Sequence, residues 1–185
     1  MAYDTIKVET EERIGLITLN EPDRLNALSD RMAEEFRDAV RALQARSDVR
    51  GVIVTGAGRA FSAGGNFPEM KKNLGGDPAV YKQRIYGFYK SFLSIMDLSV
   101  PTIAAMEGHA VGGGLILGLC CDIAVMGRES RYGCSFISSI NNIPFKISLF
   151  TFLWKLGGLS FIRQSLCNLL IDTNTLCNKD STDTE

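Results

Sequence analysis

Three consecutive glycines, Gly112-Gly113-Gly114, stand between the apolar stretches Pro101-Thr102-Ile103-Ala104-Ala105-Met106 and Leu115-Ile116-Leu117-Gly118-Leu119-Cys120-Cys121. The first stretch reads as a buried strand and the second as a buried helix, so the glycines mark a strand-to-helix turn. A glycine in a helical position costs about 1 kcal/mol against alanine, so three in a row call for a reason, either tight packing or the close approach of a ligand. Bare backbone lets a ligand come close to main-chain N–H groups. The amides of a helix's first turn have no intrahelical partner and carry partial positive charge. They suit a phosphate, or a thioester carbonyl oxygen as it becomes an oxyanion. The commonest phosphate loops do not fit: Leu115-Ile116 follows where a Walker loop needs Lys-Ser/Thr, and G-x-G-x-x-G is not matched.

A second glycine site lies upstream. The β-branched run Gly51-Val52-Ile53-Val54-Thr55 reads as a buried strand. It leads into Gly56-Ala57-Gly58-Arg59-Ala60-Phe61-Ser62-Ala63-Gly64-Gly65-Asn66, a loop of small residues. Two strand ends that each offer a glycine amide would form a two-donor oxyanion hole.

The rest of the first 136 residues reads as alternating strands and helices. Arg13 to Asn20 is a strand, and Ser29 caps a helix with Met32, Phe36, Ala39, Val40 and Leu43 on one face. A second amphipathic helix is expected from about Ala79 to Met96, with Tyr81, Ile85, Phe88, Phe92 and Met96 on one side. Asn73-Leu74-Gly75-Gly76-Asp77-Pro78 before it is a loop. The class is α/β.

Residues 13–136 resemble the crotonase superfamily, the enoyl-CoA hydratase/isomerase family. Four blocks carry the likeness in order: Ile14-Gly15-Leu16-Ile17-Thr18-Leu19-Asn20-Glu21-Pro22 with Asn26-Ala27-Leu28; Ala60 to Asn66; Pro101 to Ala105 leading into Gly108 to Gly114; and Cys121-Asp122-Ile123-Ala124. The resemblance implies a spiral of ββα turns and an acyl-CoA or acyl-carrier thioester substrate. It implies no separate cofactor, and a homotrimer or hexamer. It places the oxyanion hole at the amides of Gly65 and Gly113, and substrate contacts at Arg24, Ala27, Ala63, Gly65, Asn66, Phe67 and Gly113. The segment Met106 to Gly114 is similar to the polyketide-biosynthesis branch, whose members dehydrate or decarboxylate carrier-bound intermediates.

Two departures bear on chemistry. The positions where hydratases of this family carry catalytic glutamates are Ile116, two residues after Gly114, and Phe136, three after Gly133. Hydration needs a group that activates water and one that protonates the α-carbon, and neither side chain does this. Decarboxylation of a β-carboxy acyl thioester forms the enolate directly, so an oxyanion hole suffices for much of its catalysis. His109 could exchange protons beside the glycine turn, or serve as a structural turn residue. Glu69 could approach the acyl group or sit solvated in a first helical turn.

With 185 residues and a net charge of −1, the chain lacks the basic excess of a nucleic-acid binder. No secretory signal is visible near Met1, and five cysteines without a C-x-x-C pair fit a reduced cytoplasm. Cys120 and Cys121 read as small core residues. The tail differs: residues 137–185 contain no alanine or valine, against fourteen and nine in residues 1–136, where about eight would be expected at uniform composition. This suggests a crotonase-like core at 1–136 and an atypical, frameshifted or interrupted tail at 137–185, which would remove the family's C-terminal helices. The apolar run Ile147 to Ile162 is shorter than the roughly 20 residues that span a bilayer. Three readings follow: a thioester enzyme favouring decarboxylation or isomerisation, a non-catalytic acyl-thioester binding protein, or a truncated inactive product.

Overall fold

A computed structural model of the chain describes residues 3–66, 68, 71, 77–128 and 130–133. The sheet is built from β1 (Ile6–Glu11), β2 (Ile14–Leu19), β3 (Gly51–Gly56), β5 (Thr102–Met106) and β7 (Ile123–Met126), side by side in that order. β1 and β2 form an antiparallel hairpin, and every later pairing is parallel. A second sheet places β6 (His109–Val111) between β4 (Ala60–Ser62) and β8 (Tyr132–Gly133), all parallel. Parallel neighbours need crossover connections, which the helices supply.

Helix α1 (Asp30–Gln44) begins where the Ser29 hydroxyl accepts the Met32 N–H, at 3.2 Å. Its apolar face buries Met32, Phe36, Ala39, Val40 and Leu43 against the sheet, as the spacing predicts. Gly15 on β2 makes room for this packing, since a Cβ there would lie 2.9 Å from Leu43 Cδ2. The N-terminal arm is tied to the same helix by Glu35. Its buried carboxylate accepts the Thr5 N–H and hydroxyl at 2.8 and 2.7 Å, both oxygens take the Asp4 N–H, and Arg31 Nε donates at 2.7 Å.

Helix α2 (Pro78–Leu93) is shorter than the expected Ala79 to Met96, because the chain tightens into a 3-10 turn at Ser94–Asp97. Of its expected stripe, Phe92 is buried while Tyr81, Ile85 and Phe88 are half-buried. Phe92 joins α2 to α1, its ring 5.5 Å from that of Phe36. Helix α3 (Gly113–Leu119) includes the last two glycines of the triple as its first turn, where the sequence pattern suggests a start at Leu115. Asp122 locks the end of this crossover: its carboxylate accepts the Thr102 N–H and hydroxyl at 2.8 Å, and its own N–H donates to Thr102 Oγ1 at 2.9 Å. Among the described residues no helix is long and apolar enough to cross a membrane. The tail from 137 to 185, including Ile147 to Ile162, lies outside the described residues.

Candidate functional site

The two glycine segments meet. Gly64 and Gly112 both hold positive φ, +84° and +54°, which side chains other than glycine's rarely adopt. A Cβ on Gly64 would lie 3.2 Å from the Gly113 N, and a Cβ on Gly113 would lie 4.0 Å from the Gly65 N. At Gly64 a side chain is excluded outright, since its Cβ would lie 2.6 Å from Val111 O, and this bare backbone lets the two segments approach.

Both N–H groups are directed by their surroundings. Leu28 and Gly65 form an isolated parallel bridge in which the Leu28 N–H donates to Gly64 O at 2.7 Å and the Asn66 N–H donates to Leu28 O at 3.0 Å. In a parallel bridge this turns the main-chain groups of Gly65 away from Leu28. Gly113 is the first residue of α3, and its cap, Gly112, offers no side-chain acceptor. Among the described residues no backbone acceptor takes the N–H of Gly65 or Gly113. Two donors with no backbone acceptor among the described residues therefore sit near each other, one of them at the positive end of a helix.

Ser62 and Asn26 hold this geometry. The Ser62 hydroxyl donates to Asn26 O at 2.8 Å and accepts the Gly64 N–H at 3.1 Å, which fixes the loop just before Gly65. Its other neighbour is α3: a Cβ on Gly114 would lie 2.5 Å from Ser62 Cβ. The third glycine thus serves close packing of helix on strand. Asn26 is fully buried, and its amide donates to Ala57 O and Ala60 O at 2.9 and 2.7 Å while its oxygen accepts the Glu21 N–H at 2.9 Å.

The other expected contact residues fall around this centre to different degrees. Ala63 and Asn66 flank Gly64-Gly65 and are half-buried; their N–H groups are held by Leu25 O and Leu28 O. Ala27 precedes Leu28 and is half-buried. Arg24 is exposed in a 3-10 turn at Pro22–Arg24, where its guanidinium lies 3.8 Å from Glu21 Oε1. Phe67, Glu69 and Phe136 lie outside the described residues. Ile116 is half-buried one helical turn beyond Gly113, on the same side of α3. His109 takes the structural role: it is exposed, and its Nδ1 accepts the Arg131 N–H at 3.0 Å, pinning the approach to β8. Burial pushes the Cys120 and Cys121 thiols up to about 12, so both stay protonated, as small core residues do.

Two wall residues were not singled out by sequence pattern. A Cβ on Gly113 would meet Leu28 Cδ1 at 3.3 Å and the Tyr89 ring at 3.9 Å. Leu28 follows the Asn26-Ala27 block and could have been read from it. Tyr89 falls between the helical stripe positions Phe88 and Phe92, so the stripe pointed past it. Leu28 and the Tyr89 ring give the space beside Gly113 an apolar wall. Among the described residues no group of three or more His, Cys, Asp or Glu side chains is placed to hold a metal ion.

Comparison with known proteins identifies the family and the fold. The profile of the enoyl-CoA hydratase/isomerase family matches residues 9–147, a wider stretch than the 13–136 on which the motifs fall. A Mycobacterium tuberculosis protein named "Probable enoyl-CoA hydratase echA14" is 37% identical over 134 residues, 72% of this chain and 51% of that protein. A Dictyostelium discoideum protein named "Probable enoyl-CoA hydratase, mitochondrial" is 38% identical over 131 residues, 71% of this chain and 46% of its own. Among solved structures, an enoyl-CoA hydratase from Geobacillus kaustophilus superposes with a TM-score of 0.66 at 34% identity, covering 74% of this chain and 51% of that one. An enoyl-CoA hydratase/isomerase from Xanthobacter autotrophicus Py2 gives 0.68 at 31% identity, covering 71% and 49%. The chain spans about half the length of these relatives. The fold is that of a crotonase, and the chain belongs to the enoyl-CoA hydratase/isomerase family.

Proposed function

We propose that the chain binds an acyl thioester, carried by coenzyme A or an acyl carrier, with the carbonyl oxygen between the N–H groups of Gly65 and Gly113. The observation that carries this reading is the convergence of those two amides, with no described backbone acceptor for either. Negative charge that develops on the oxygen is met by two donors, one of them at the start of a helix, in a space walled by Leu28 and Tyr89.

The favoured chemistry is the kind that needs an enolate and little else. In decarboxylation of a β-carboxy acyl thioester, the bond to the carboxylate breaks and CO2 leaves. The electron pair passes to the α-carbon and the carbonyl oxygen, and solvent then protonates the α-carbon. The two N–H groups strengthen their hydrogen bonds as charge builds, which lowers the barrier without a general base. Isomerisation of an enoyl thioester draws on the same two donors, which stabilise the dienolate left when a base takes a proton from the carbon beside the carbonyl. Hydration is disfavoured because Ile116 and Phe136 stand where the family's hydratases carry glutamates. The likeness of Met106 to Gly114 to the polyketide branch supports a carrier-bound substrate. Arg24, Ala27, Ala63, Asn66 and Phe67 are the proposed contacts for the remainder of the thioester.

Replacing Gly113 by proline removes one donor while keeping a residue that a first helical position accepts. Thioester turnover should fall more than a hundredfold, equivalent to about 3 kcal/mol. Turnover within tenfold of the parent chain would refute the assignment. A second reading, a non-catalytic acyl-thioester binder, is favoured by the apolar Ile116. It predicts binding without turnover, and a steady-state assay with malonyl-type and enoyl thioesters separates the two.

A further inference from the structure

β8 is only two residues long, so the bonds that hold it to β6 can be followed one by one. Ala110 pairs with Tyr132 and Val111 with Gly133; the Ala110 N–H donates to Arg131 O at 3.1 Å, and the Gly112 N–H donates to Gly133 O at 2.8 Å. The Arg131 N–H, on the same side of the strand as the Arg131 carbonyl, has no main-chain acceptor among the described residues, because β6 begins only at His109. The imidazole fills that place: His109 Nδ1 accepts the Arg131 N–H at 3.0 Å. We propose that His109 is a positioning residue, whose neutral imidazole holds β8 against β6 and, through Gly133 and Gly112, orients the Gly113 N–H. This rests on the reading of Gly113 as a donor to the thioester oxygen.

The route from imidazole to donor is short. Gly112 caps α3 with φ of +54°, its N–H held by Gly133 O, and its carbonyl accepts the Ile116 N–H at 3.2 Å. The Gly112 carbonyl and the Gly113 N–H belong to one planar peptide group, so holding Gly112 at both ends sets the direction in which the Gly113 N–H points. β8 supplies one of those ends. Gly112 has no side chain to restrain its own rotation, and the bond to Gly133 takes that part. The Tyr132 hydroxyl lies 3.1 Å from Met106 O and 3.0 Å from Gly127 O, so loss of the His109 bond should shift β8 rather than detach it.

The bond depends on charge. An imidazole accepts at Nδ1 only when neutral, with its proton on Nε2; protonation places an N–H at Nδ1, facing the Arg131 N–H, and ends the bond. His109 is the chain's only histidine, and histidine is the side chain whose charge ordinarily changes between about pH 5 and 8. The charged residues on the segments beside it are Arg59 before β4, Glu107 before β6, and Arg128 and Arg131 before β8. Among the described residues neither the imidazole nor any of these four takes part in an ion pair. Glu129 lies outside the described residues. Acid therefore acts on this part of the chain through the Nδ1 bond, and it should loosen the start of α3.

The test follows the amide resonances of the full chain, labelled with 15N-glycine and without ligand, from about pH 8 to about pH 5. The Gly112 resonance reports the bond to Gly133 O and should move with pH along a one-proton curve, while that of Gly87 stays in place. In His109→Asn the side-chain oxygen can accept the Arg131 N–H but takes no proton, so Gly112 should hold one position across the range, near that of the parent at about pH 8. In His109→Ala, which has no acceptor, Gly112 should be displaced at every pH in the direction in which acid displaces it in the parent. A parent Gly112 resonance that ignores pH, or one that titrates alike in His109→Asn, would overturn the proposal. Turnover of malonyl-type and enoyl thioesters, read on the same samples, should fall about tenfold over this range in the parent, the order of one lost hydrogen bond, and stay level in His109→Asn. A Gly112 response in a chain that neither binds nor turns over a thioester would support the role of His109 and refute the thioester reading, so the two fail separately.

Discussion

Single residues set the site through what they exclude. Gly64 matters because a side chain there would run into Val111 O and the Gly113 N, while Gly114 matters because Ser62 lies where its side chain would be. The need for bare backbone was legible in the run of three glycines. The separate reasons were not, because a partner about fifty residues away supplies each of them. Asn26 and Ser62 were visible as motif letters, yet their work, holding one loop against another through buried hydrogen bonds, depends on contacts that no local pattern encodes. Ile116 gives a direct residue-level prediction. Ile116→Glu places a carboxylate one turn from Gly113, and it should raise hydration of an enoyl thioester measurably above the parent chain; an unchanged rate would show that this side of α3 does not face the acyl group. Glu35 gives another. Burial alone would raise its pKa, but the hydrogen bonds from Thr5, Asp4 and Arg31 outweigh burial and hold it below the ordinary 4.5. Its contribution to stability is complete above about 4.5 and is lost as the pH falls through the lower folded value. The thermal midpoint of the parent chain should therefore fall more steeply below pH 4.5 than that of Glu35→Gln, as a melting series in acid would show.

At the scale of elements, legibility followed length and burial. α1 and β2, β3 and β5 stood out because a buried face imposes a period on six or more residues, or a dense apolar run where both faces are covered. The strands β4, β6 and β8 are two or three residues long and leave no period to read. β1 escaped notice because its outward residues, among them Lys7, Glu9 and Glu11, make it look like a charged terminus. Its turn is strained in a way that can be measured. Glu11 opposes Ile14, so the loop is the two residues Glu12 and Arg13, with φ of +45° and +74°. Such a hairpin favours Asn-Gly, and the double change Glu12→Asn with Arg13→Gly should stabilise the chain by about 1 kcal/mol in denaturant titration. A loss of stability would mean that the side chains of this turn contribute more than its backbone costs.

For the whole molecule, the family was readable because its motifs lie where the fold forbids side chains. Of its four blocks, those holding Asn26 to Leu28, Ala60 to Asn66 and Gly108 to Gly114 come together at the glycine segments, where the proposed chemistry would lie, while Asp122 of the fourth is tied to Thr102. The central claim is that the Gly65 and Gly113 amides receive a thioester oxygen. The most direct measurement labels the chain with 15N-glycine and follows its amide resonances during titration with malonyl-type and enoyl-type coenzyme A thioesters. Gly87, in the middle of α2 with open space around it, serves as an internal control. The resonances of Gly65 and Gly113 should move together, saturating at one concentration, while Gly87 stays in place. Saturable binding that leaves both site glycines unmoved would contradict the account.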